Sequence, residues 1–216
     1  MKVGGRIVNK EKISETVSSR IKNPRLVRKK HLHIAKKASK LFVKKGYHQT
    51  TMREISRATD MAIGNLYDYI AKKEDVLCLT FDVYHQSVQE RLDAEQALKT
   101  DDPRESLRSF IRHSLENIET FKDEIKLMYR ESRLLPRKNL KRAMKIEMEQ
   151  IQALEKIIRQ GVNQGVFRKQ EPFFAASMIF YQLIFPTLRG WTLADKYSNK
   201  EARDLLEEYI VNHFIA

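Results

Sequence analysis

Glycine and proline are scarce in this chain of 216 residues, which holds 7 and 5 of them. Sandwiches and barrels with many tight turns need more of both, so the composition favours long helices. The single cysteine, Cys78, excludes an internal disulfide and a CxxC metal site, and we expect it to be a buried apolar residue. The sequence has neither an apolar signal-peptide core nor the ~20 apolar residues of a membrane helix, which predicts a protein of the reducing cytoplasm.

The excess positive charge is confined to the first quarter of the chain. Residues 1–50 hold 15 Lys and Arg against 2 Asp and Glu, whereas residues 51–216 hold 26 of each sign. Such asymmetry predicts that the N-terminal part binds a polyanion. The alternative is a solvated basic tail with no specific role.

Up to Gly46 the chain divides into a basic segment and one helix. The basic arm, residues 1–24, lacks steady periodicity apart from a short helix expected around Ile13–Ile21. Apolar residues then recur at helical spacing from Arg25 to Lys45, and Gly46 is a usual C-terminal stop.

Two short helices are predicted next, joined by a tight turn. Thr51-Met52-Arg53-Glu54 reads as a capping box that opens the first of them. The turn, Thr59–Met61, contains Asp60, a residue type that tolerates a left-handed backbone. The second helix runs from about Ala62 to Tyr69. This order of elements is typical of a helix-turn-helix.

The rest of the chain is helical throughout, without a strand of convincing alternation. A long amphipathic helix after Lys73 carries one apolar face: Leu77, Phe81, Tyr84, Val88 and Leu92. Asp102–Pro103 is a strong helix start, and the buried stripe that follows is Leu107, Phe110, Ser114, Ile118 and Phe121. After Pro136 another long helix is lined by Leu140, Met144, Met148, Ile151, Ile158 and Val162. An apolar helix after Glu171–Pro172 and a last helix ending near Phe214 complete an all-α fold.

A set of spaced features lies between Ile34 and Leu77 without a gap: Ala35, Ala38, Leu41, Phe42, Gly46, Tyr47, Thr50, Thr51, Glu54, Ile55, Gly64, Leu66, Tyr67, Tyr69 and Lys73. This set closely resembles the N-terminal DNA-binding domain of the TetR/AcrR family of bacterial transcriptional regulators. The resemblance implies a three-helix DNA-binding domain at residues 25–73, followed by a larger helical ligand-binding and dimerisation domain at residues 74–216. The basic arm would then reach along DNA phosphates or into a minor groove, unless it is merely disordered.

The second short helix is expected to enter the major groove with its first residues against base edges. Its exposed early positions are Ala62, Ile63 and Asn65. The Asn65 amide can pair with adenine, Ala62 and Ile63 offer apolar contact to thymine methyl groups, and Gly64 lets the backbone approach closely. The alternative for Asn65 is a solvated surface position.

Phosphate contacts are implied by the resemblance at five further positions: Thr51, Arg53, Tyr67, Tyr69 and Lys73. Such contacts fix position but do not read sequence. For Tyr67, filling the core between helices is the alternative.

The chain departs from the family pattern at Asp60, Ala62 and Ile63, where the family usually has a turn glycine, a serine cap and a basic residue. Asp68 also puts a negative charge near DNA. These departures leave the fold in place but make the operator sequence unpredictable.

The second domain is predicted to hold a small-molecule effector. The candidate cavity residues are aromatic or methionine: Phe81, Tyr84, Phe110, Met128, Tyr129, Met144, Met148, Tyr181, Phe185 and Trp191. Taken one at a time, ordinary core packing is the alternative for each. The runs Tyr129–Pro136 and Gly165–Arg168 are similar to sensor domains that respond to fatty acids and acyl-CoA. Arg130 or Arg133 would then meet a carboxylate or phosphate, or else pair with acids such as Glu131.

A homodimer is expected to form through the apolar segments Phe173–Trp191 and Ala202–Phe214. A two-fold dimer presents two recognition helices about 34 Å apart and binds a roughly palindromic site.

The predicted function is a ligand-responsive transcriptional regulator, a repressor that an apolar or acyl-CoA-like effector releases from its operator. We expect no catalytic residue, metal or cofactor, because GxSxG, P-loop, GxGxxG and HExxH motifs are absent and His31 and His33 point in different directions on one helix. Three alternatives stay open. They are a nucleoid-type protein that binds DNA without sequence preference and senses nothing, a ligand-binding protein whose helix-turn-helix has decayed, and an activator.

Overall fold

The computed structural model describes residues 17–97 and 100–214, and within them it contains helices and no strand. The helices are α1 Pro24–Lys45, α2 Met52–Ala58, α3 Ile63–Tyr69, α4 Lys73–Ala97, α5 Pro103–Thr120, α6 Lys122–Glu131, α7 Arg137–Asn163, α8 Pro172–Arg189, α9 Trp191–Ala194 and α10 Asn199–Phe214, with a 3-10 turn at Ser132–Leu134 between α6 and α7. The predicted all-α fold is confirmed. Over the described ranges, none of these helices combines the length and the apolar content that a membrane span requires.

The chain folds into two compact units. The first ends at Val83 and takes in Glu131–Asn139, and the second comprises Tyr84–Arg130 and the chain from Leu140 onward. The division falls inside α4, so the first turns of that helix belong with α1 to α3.

The predicted helix ends are confirmed where side chains supply the caps. Thr51 and Glu54 form the full capping box of α2, and Asp60 adopts the left-handed backbone with a φ of 51°. The Asp102 carboxylate accepts from the Arg104 amide at the start of α5. Asn23 does the same for α1, which therefore begins at Pro24. Each cap satisfies amides that have no partner inside the helix.

The short helix expected around Ile13–Ile21 is wrong over residues 17–21, which are not helical. The Ser19 hydroxyl and the Arg20 amide donate instead to the Asp68 carbonyl of α3. Residues 1–16 of the basic arm lie outside the described residues.

The core of the first unit forms where α1 packs against α2 and α3. Ile34, Ala38 and Phe42 of α1 are fully buried, as are Ile55 of α2 and Leu66 of α3. This apolar contact fixes the two short helices on one face of α1 and leaves its lysines on the opposite, solvated face.

The core of the second unit forms where α5 packs against α8 and α10. The predicted buried stripe of α5 is confirmed from Leu107 to Phe121. At the edge of the α5–α10 contact, Arg108 and Arg112 form ion pairs with Glu207 at 3.2 and 2.9 Å.

The predicted apolar face of α7 is only partly right. Ile151 and Ile158 are buried, but Met144 and Met148 are 63% and 41% exposed. The buried positions in this part of α7 include Ile146 and a polar residue, Gln150. The spacing of apolar residues along α7 correctly indicated one apolar face, but it could not show which part of that face is buried and which part is exposed.

The turn after α7 folds back on the helix and packs Phe167 against Gly161. Gly165 has a φ of 70°, and the turn brings the amides of Val166 and Phe167 back to the Gly161 carbonyl at 2.9 and 3.0 Å. The buried Phe167 ring thereby lies against the Gly161 backbone, and a Cβ on Gly161 would come within 2.1 Å of it.

We therefore predict that Gly161→Ala destabilises the protein. Overpacking costs about 1–3 kcal/mol, which exceeds the roughly 1 kcal/mol that alanine gains over glycine in a helix. Urea denaturation measures the change, with Lys156→Ala on the exposed face of the same helix as the control, expected within about 0.5 kcal/mol of wild type. Equal or greater stability of Gly161→Ala would contradict the packing.

Candidate nucleic-acid interface and candidate effector site

Helix α3 is short, and its C-terminal carbonyls find partners outside the helix. The Asp68 carbonyl accepts from the Ser19 hydroxyl and the Arg20 amide, both at 2.9 Å. The Tyr69 carbonyl accepts from Nε2 of His31 at 2.8 Å. Because the last carbonyls of a helix lack intrahelical donors, these bonds both cap α3 and fix it against α1.

Helix α2 and the turn after it are held in the same way. Nε2 of His33 donates to the Thr59 carbonyl at 2.9 Å, and the Ser56 hydroxyl donates to the Met61 carbonyl at 2.6 Å. His31 and His33 thus bind carbonyls on different elements, which confirms that they point in different directions. Burial lowers the pKa of His31, and its Nε2 must carry a proton because the Tyr69 carbonyl can only accept.

Lys73 closes the loop between α1 and α2. Its ammonium donates to the carbonyls of Tyr47, His48 and Thr50 at 2.9, 3.2 and 3.0 Å, and lies 4.5 Å from the centre of the Tyr47 ring. An ammonium has three donors, and here three carbonyls take them. Lys73 therefore ties the first turn of α4 to the loop that precedes α2.

Six of the eight residues predicted to bind DNA are exposed on the first unit: Thr51, Arg53, Ala62, Ile63, Asn65 and Tyr67. Tyr67 is 40% exposed, so the alternative of a core position for it is wrong. Ala62 begins α3 without a side-chain cap, as its residue type requires.

The structure gives Tyr69 and Lys73 roles inside the domain, and their phosphate contacts stay predictions. Tyr69 is only 4% exposed because the packing of α3 against α1 buries it. The Lys73 ammonium is occupied by the three loop carbonyls. Both residues therefore help to hold the helix-turn-helix together.

Glu54 is a capping residue with a strongly stabilised charge. Lys45 forms an ion pair with its carboxylate, and the Thr51 amide and hydroxyl donate to it at 2.8 and 2.9 Å. These hydrogen bonds, that from Lys45 first, lower the pKa of Glu54 to about 2. The carboxylate at the start of α2 therefore stays ionised, and its charge is balanced by Lys45 within the domain.

The second unit contains two adjoining recesses that share Tyr84, Gln150, Phe180 and Ile184 as walls. They enclose about 10 and 30 Å³, and a single water needs roughly 10–15 Å³. A larger molecule can therefore enter only if side chains move.

One recess is rich in hydrogen-bond donors. The Arg91 guanidinium lies 4.9 Å from the centre of the Phe110 ring and donates to Gln150 Oε1 at 3.2 Å. The Ser114 hydroxyl is buried and has no hydrogen-bond partner among the described residues. Asn117 also lines this recess, and its Oδ1 accepts from the Ser87 hydroxyl, which leaves its NH2 group as a donor.

The other recess carries an acid. Burial raises the pKa of Glu147, and the Tyr181 hydroxyl donates to its Oε1 at 3.4 Å. Burial also raises the pKa of Tyr129 to about 12. Burial and the nearby Arg142 lower the pKa of His85 to about 4, so His85 is neutral at pH 7. The polar groups of the two recesses thus differ: hydrogen-bond donors line the first, and a half-buried acid lines the second.

The structure brings four of the predicted effector residues together around these recesses: Tyr84, Phe110, Met128 and Tyr129. Tyr181 reaches the same region through Glu147. Phe81 is instead buried in the first unit, and four predicted residues are exposed and line neither recess: Met144, Met148, Phe185 and Trp191.

The polar lining was missed at the sequence level. Arg91, Ser114 and Gln150 carry the donor network, whereas Arg130 and Arg133, the bases expected to meet an acid, do not line either recess. A buried stripe that includes Ser114 was the available signal, because a hydroxyl among apolar neighbours needs a partner.

An exposed apolar surface covers α8 and α10. Phe174 and Tyr209 are each 65% exposed and Met178 is 42% exposed, and between the two helices lies a groove of about 250 Å³. Trp191 of α9 is 72% exposed. Large apolar patches of this kind mark interaction surfaces on soluble proteins.

Comparison with known proteins agrees with this arrangement. Residues 34–77 match the family model of bacterial regulatory proteins of the tetR family, and residues 100–184 match that of the tetracyclin repressor-like C-terminal domain. The chain is 26% identical over 192 residues to the HTH-type transcriptional regulator HbdR of Aromatoleum sp. (strain CIB), and the match covers 87% of this chain and 82% of that protein.

Two solved structures share the fold. A bacterial regulatory protein in the tetR family from Rhodococcus RHA1 has a TM-score of 0.72 at 23% identity and covers 87% of this chain and 98% of its own. AibR, in complex with isovaleryl coenzyme A and operator DNA, has a TM-score of 0.69 at 21% identity and covers 83% of this chain and 97% of its own. The chain described here therefore belongs to the TetR family of bacterial regulatory proteins, as a DNA-binding transcription regulator with a helix-turn-helix.

Proposed function

We propose that the protein is a homodimeric repressor that binds a palindromic operator through α3 and leaves it when an apolar, acyl-CoA-like effector enters the second unit. The observation that carries the proposal is a recess of the second unit lined by the hydrogen-bond donors Arg91, Ser114 and Asn117. The same chain has exposed side chains along α3 that can contact DNA. AibR, which shares the fold, binds both isovaleryl coenzyme A and operator DNA.

DNA binding would use the exposed residues of α2 and α3. Asn65 and the apolar Ala62 and Ile63 would contact base edges, and Asn65 is suited to adenine. Thr51, Arg53 and Tyr67 would contact phosphates. His31, His33 and Lys73 already donate to backbone carbonyls, whereas these groups lie at the surface, where DNA can contact them.

The dimer would bury the apolar surface of α8 and α10. A two-fold interface pairs one surface patch with its own copy, and the exposed Phe174, Met178 and Tyr209 lie on such a patch. The resulting pair of α3 helices would match successive major grooves about 34 Å apart.

The effector would present hydrogen-bond acceptors to the donor-rich recess. A carboxylate or a thioester carbonyl suits Arg91, the Ser114 hydroxyl and the Asn117 amide, and an apolar body suits Phe110, Phe180 and Ile184. Since the recesses are nearly filled, the effector would select a more open conformation. It can then shift DNA binding only by its preference for that conformation.

Selection of DNA from a random duplex library, followed by release with isovaleryl-CoA, benzoyl-CoA and the matching free acids, tests the function. Enrichment of one palindrome and its release by an acyl compound are expected. Uniform coverage of the library would favour the nucleoid-type alternative. A palindrome that no member of the panel releases would contradict the effector class.

Gly64→Ala should separate DNA binding from folding. A Cβ at Gly64 meets nothing within 4 Å, so the fold should tolerate it and gain roughly 0.5–1 kcal/mol from the better helix former. The added methyl group should instead hinder close approach of α3 to the groove and weaken operator binding. Anisotropy titration and thermal melting measure the two effects, and unchanged affinity would show that this part of α3 does not face DNA.

Replacing Phe174 and Met178 with glutamate should produce monomers. Two charges on each copy of the proposed interface cannot be buried without a partner. Light scattering should then give the mass of one chain, 25.5 kDa, and operator affinity should fall. Leu32→Glu, at an exposed apolar position of the first unit, is the control for oligomeric state. A dimer that persists in the double variant would locate the interface elsewhere.

Ser114→Ala should weaken binding of the effector without lowering the stability of the fold. The hydroxyl has no protein partner, so its removal leaves no new unsatisfied group. A lost hydrogen bond of 0.5–1.5 kcal/mol corresponds to a roughly 2- to 13-fold higher effector concentration for release. Ser109→Ala on the same helix is the control. If both variants release DNA at the wild-type effector concentration, the recess is not the site.

A further inference from the structure

The half-buried acid of the second recess, Glu147, is not explained by an effector that offers only hydrogen-bond acceptors. Within the described residues Glu147 forms no ion pair, and the Tyr181 hydroxyl donates to it at 3.4 Å. An ordinary O–H···O bond is shorter, at about 2.5–3.0 Å. Because a carboxylate can accept about four hydrogen bonds, Glu147 retains acceptor capacity for a ligand.

The surroundings of Glu147 favour a positive charge. Three aromatic rings line the recess beside it: Tyr84, Tyr129 and Phe180. The faces of such rings attract cations. His85 lines the same recess but is neutral at pH 7, and Arg142, which lies near His85, does not line it. Burial raises the pKa of Glu147, as expected of a carboxylate that no cation contacts.

Helix α7 places this acid one turn from the donors of the other recess. Gln150 follows Glu147 by three residues, which is about 4.5 Å along the helix axis. Gln150 lines both recesses and accepts from Arg91 at 3.2 Å. The donors Arg91 and Ser114 and the acid Glu147 therefore lie on either side of a shared wall, and one short molecule can contact both.

We propose that the effector carries a primary ammonium group that binds Glu147, while its carboxylate or thioester carbonyl binds Arg91 and Ser114. The inference rests on the proposed function, which places the acyl end of the effector in the donor-rich recess. The recess of Glu147 encloses about 30 Å³, and a water-sized group needs roughly 10–15 Å³. A primary ammonium is of that size, whereas a trimethylammonium group is much larger. The ligand class is thus an ω-amino acid or its thioester.

Matched small molecules test the ammonium site on the full-length protein. Isothermal titration calorimetry compares ω-amino acids of four to eight carbon atoms with the plain acids, the ω-hydroxy acids and the N-trimethyl amino acids of the same length. The best amino acid should bind roughly 10- to 100-fold more tightly than its three analogues, as a charge-assisted hydrogen bond predicts. Equal affinity of any analogue, or absence of binding by every amino acid, would overturn the proposal.

Three variants locate the effect. Glu147→Gln removes the charge at constant size and should abolish the preference for the amino acid over the plain acid. Ser114→Ala should weaken both ligands alike, because it acts on the end that they share. Glu149→Gln is the control and should match wild type, since Glu149 pairs with Lys145 and does not line the recess. Thermal melting checks the fold of each variant, and a preference that survives in Glu147→Gln would overturn the site.

The ammonium site and the repressor function can fail separately. If plain acyl compounds release the operator and an amino group adds nothing, the repressor function stands and the ammonium site is overturned. If an amino acid binds in a Glu147-dependent way but does not release DNA, the site is supported and the proposed response to the effector is contradicted.

Discussion

A helix of seven residues cannot persist alone in water, because its few internal hydrogen bonds do not offset the cost of ordering the chain. Helix α3 is such a helix, and it is the element that we propose to enter the DNA groove with defined geometry. Its stability comes from outside: Leu66 is buried against α1, and its carbonyls are completed by Ser19, Arg20 and His31. The first unit is in effect built around the ends of this short helix.

That requirement divides the polar residues of the first unit into two sets. His31, His33 and Lys73 donate to backbone carbonyls of neighbouring elements, and Glu54 caps its own helix and pairs with Lys45 of α1. Asn65 and Tyr67, exposed on α3, make no side-chain hydrogen bond within the described residues, so the frame does not depend on them. The departures from the family pattern at Ala62 and Ile63 fall at exposed positions, so they leave the bonds that hold α3 in place.

The second unit shows a comparable division between apolar packing and polar function. Leu107, Ile111 and Leu154 fill the core, while the Arg91–Gln150 pair holds a fixed donor arrangement beside the unpartnered Ser114 hydroxyl. Keeping such a hydroxyl buried carries a cost that pure core packing would avoid. A role in binding an acceptor group offers a reason for that cost.

Local signals in the sequence predicted local structure well. The capping box at Thr51, the left-handed Asp60 and the cap at Asp102 each depend on neighbouring residues only, and all were confirmed. Long-range roles could not be predicted in this way. Lys73 matched a phosphate-binding position, but its ammonium is taken by carbonyls distant in sequence, and Met148 has core spacing but an exposed side chain. The sequence gives periodicity, whereas tertiary packing decides which face is covered and which donors are already used.

Lys73 is expected to hold the fold of the first unit and Asn65 to read a base, and one selection experiment compares these two roles directly. The Asn65→Ala variant and the Lys73→Met variant are each used to select duplexes from the same random library. Asn65→Ala should relax preference at a single base pair per half-site and keep the wild-type melting temperature. Lys73→Met should lower the melting temperature and weaken all selected sequences alike. If Lys73→Met changes the preferred bases, or Asn65→Ala leaves them unchanged, the separation is contradicted.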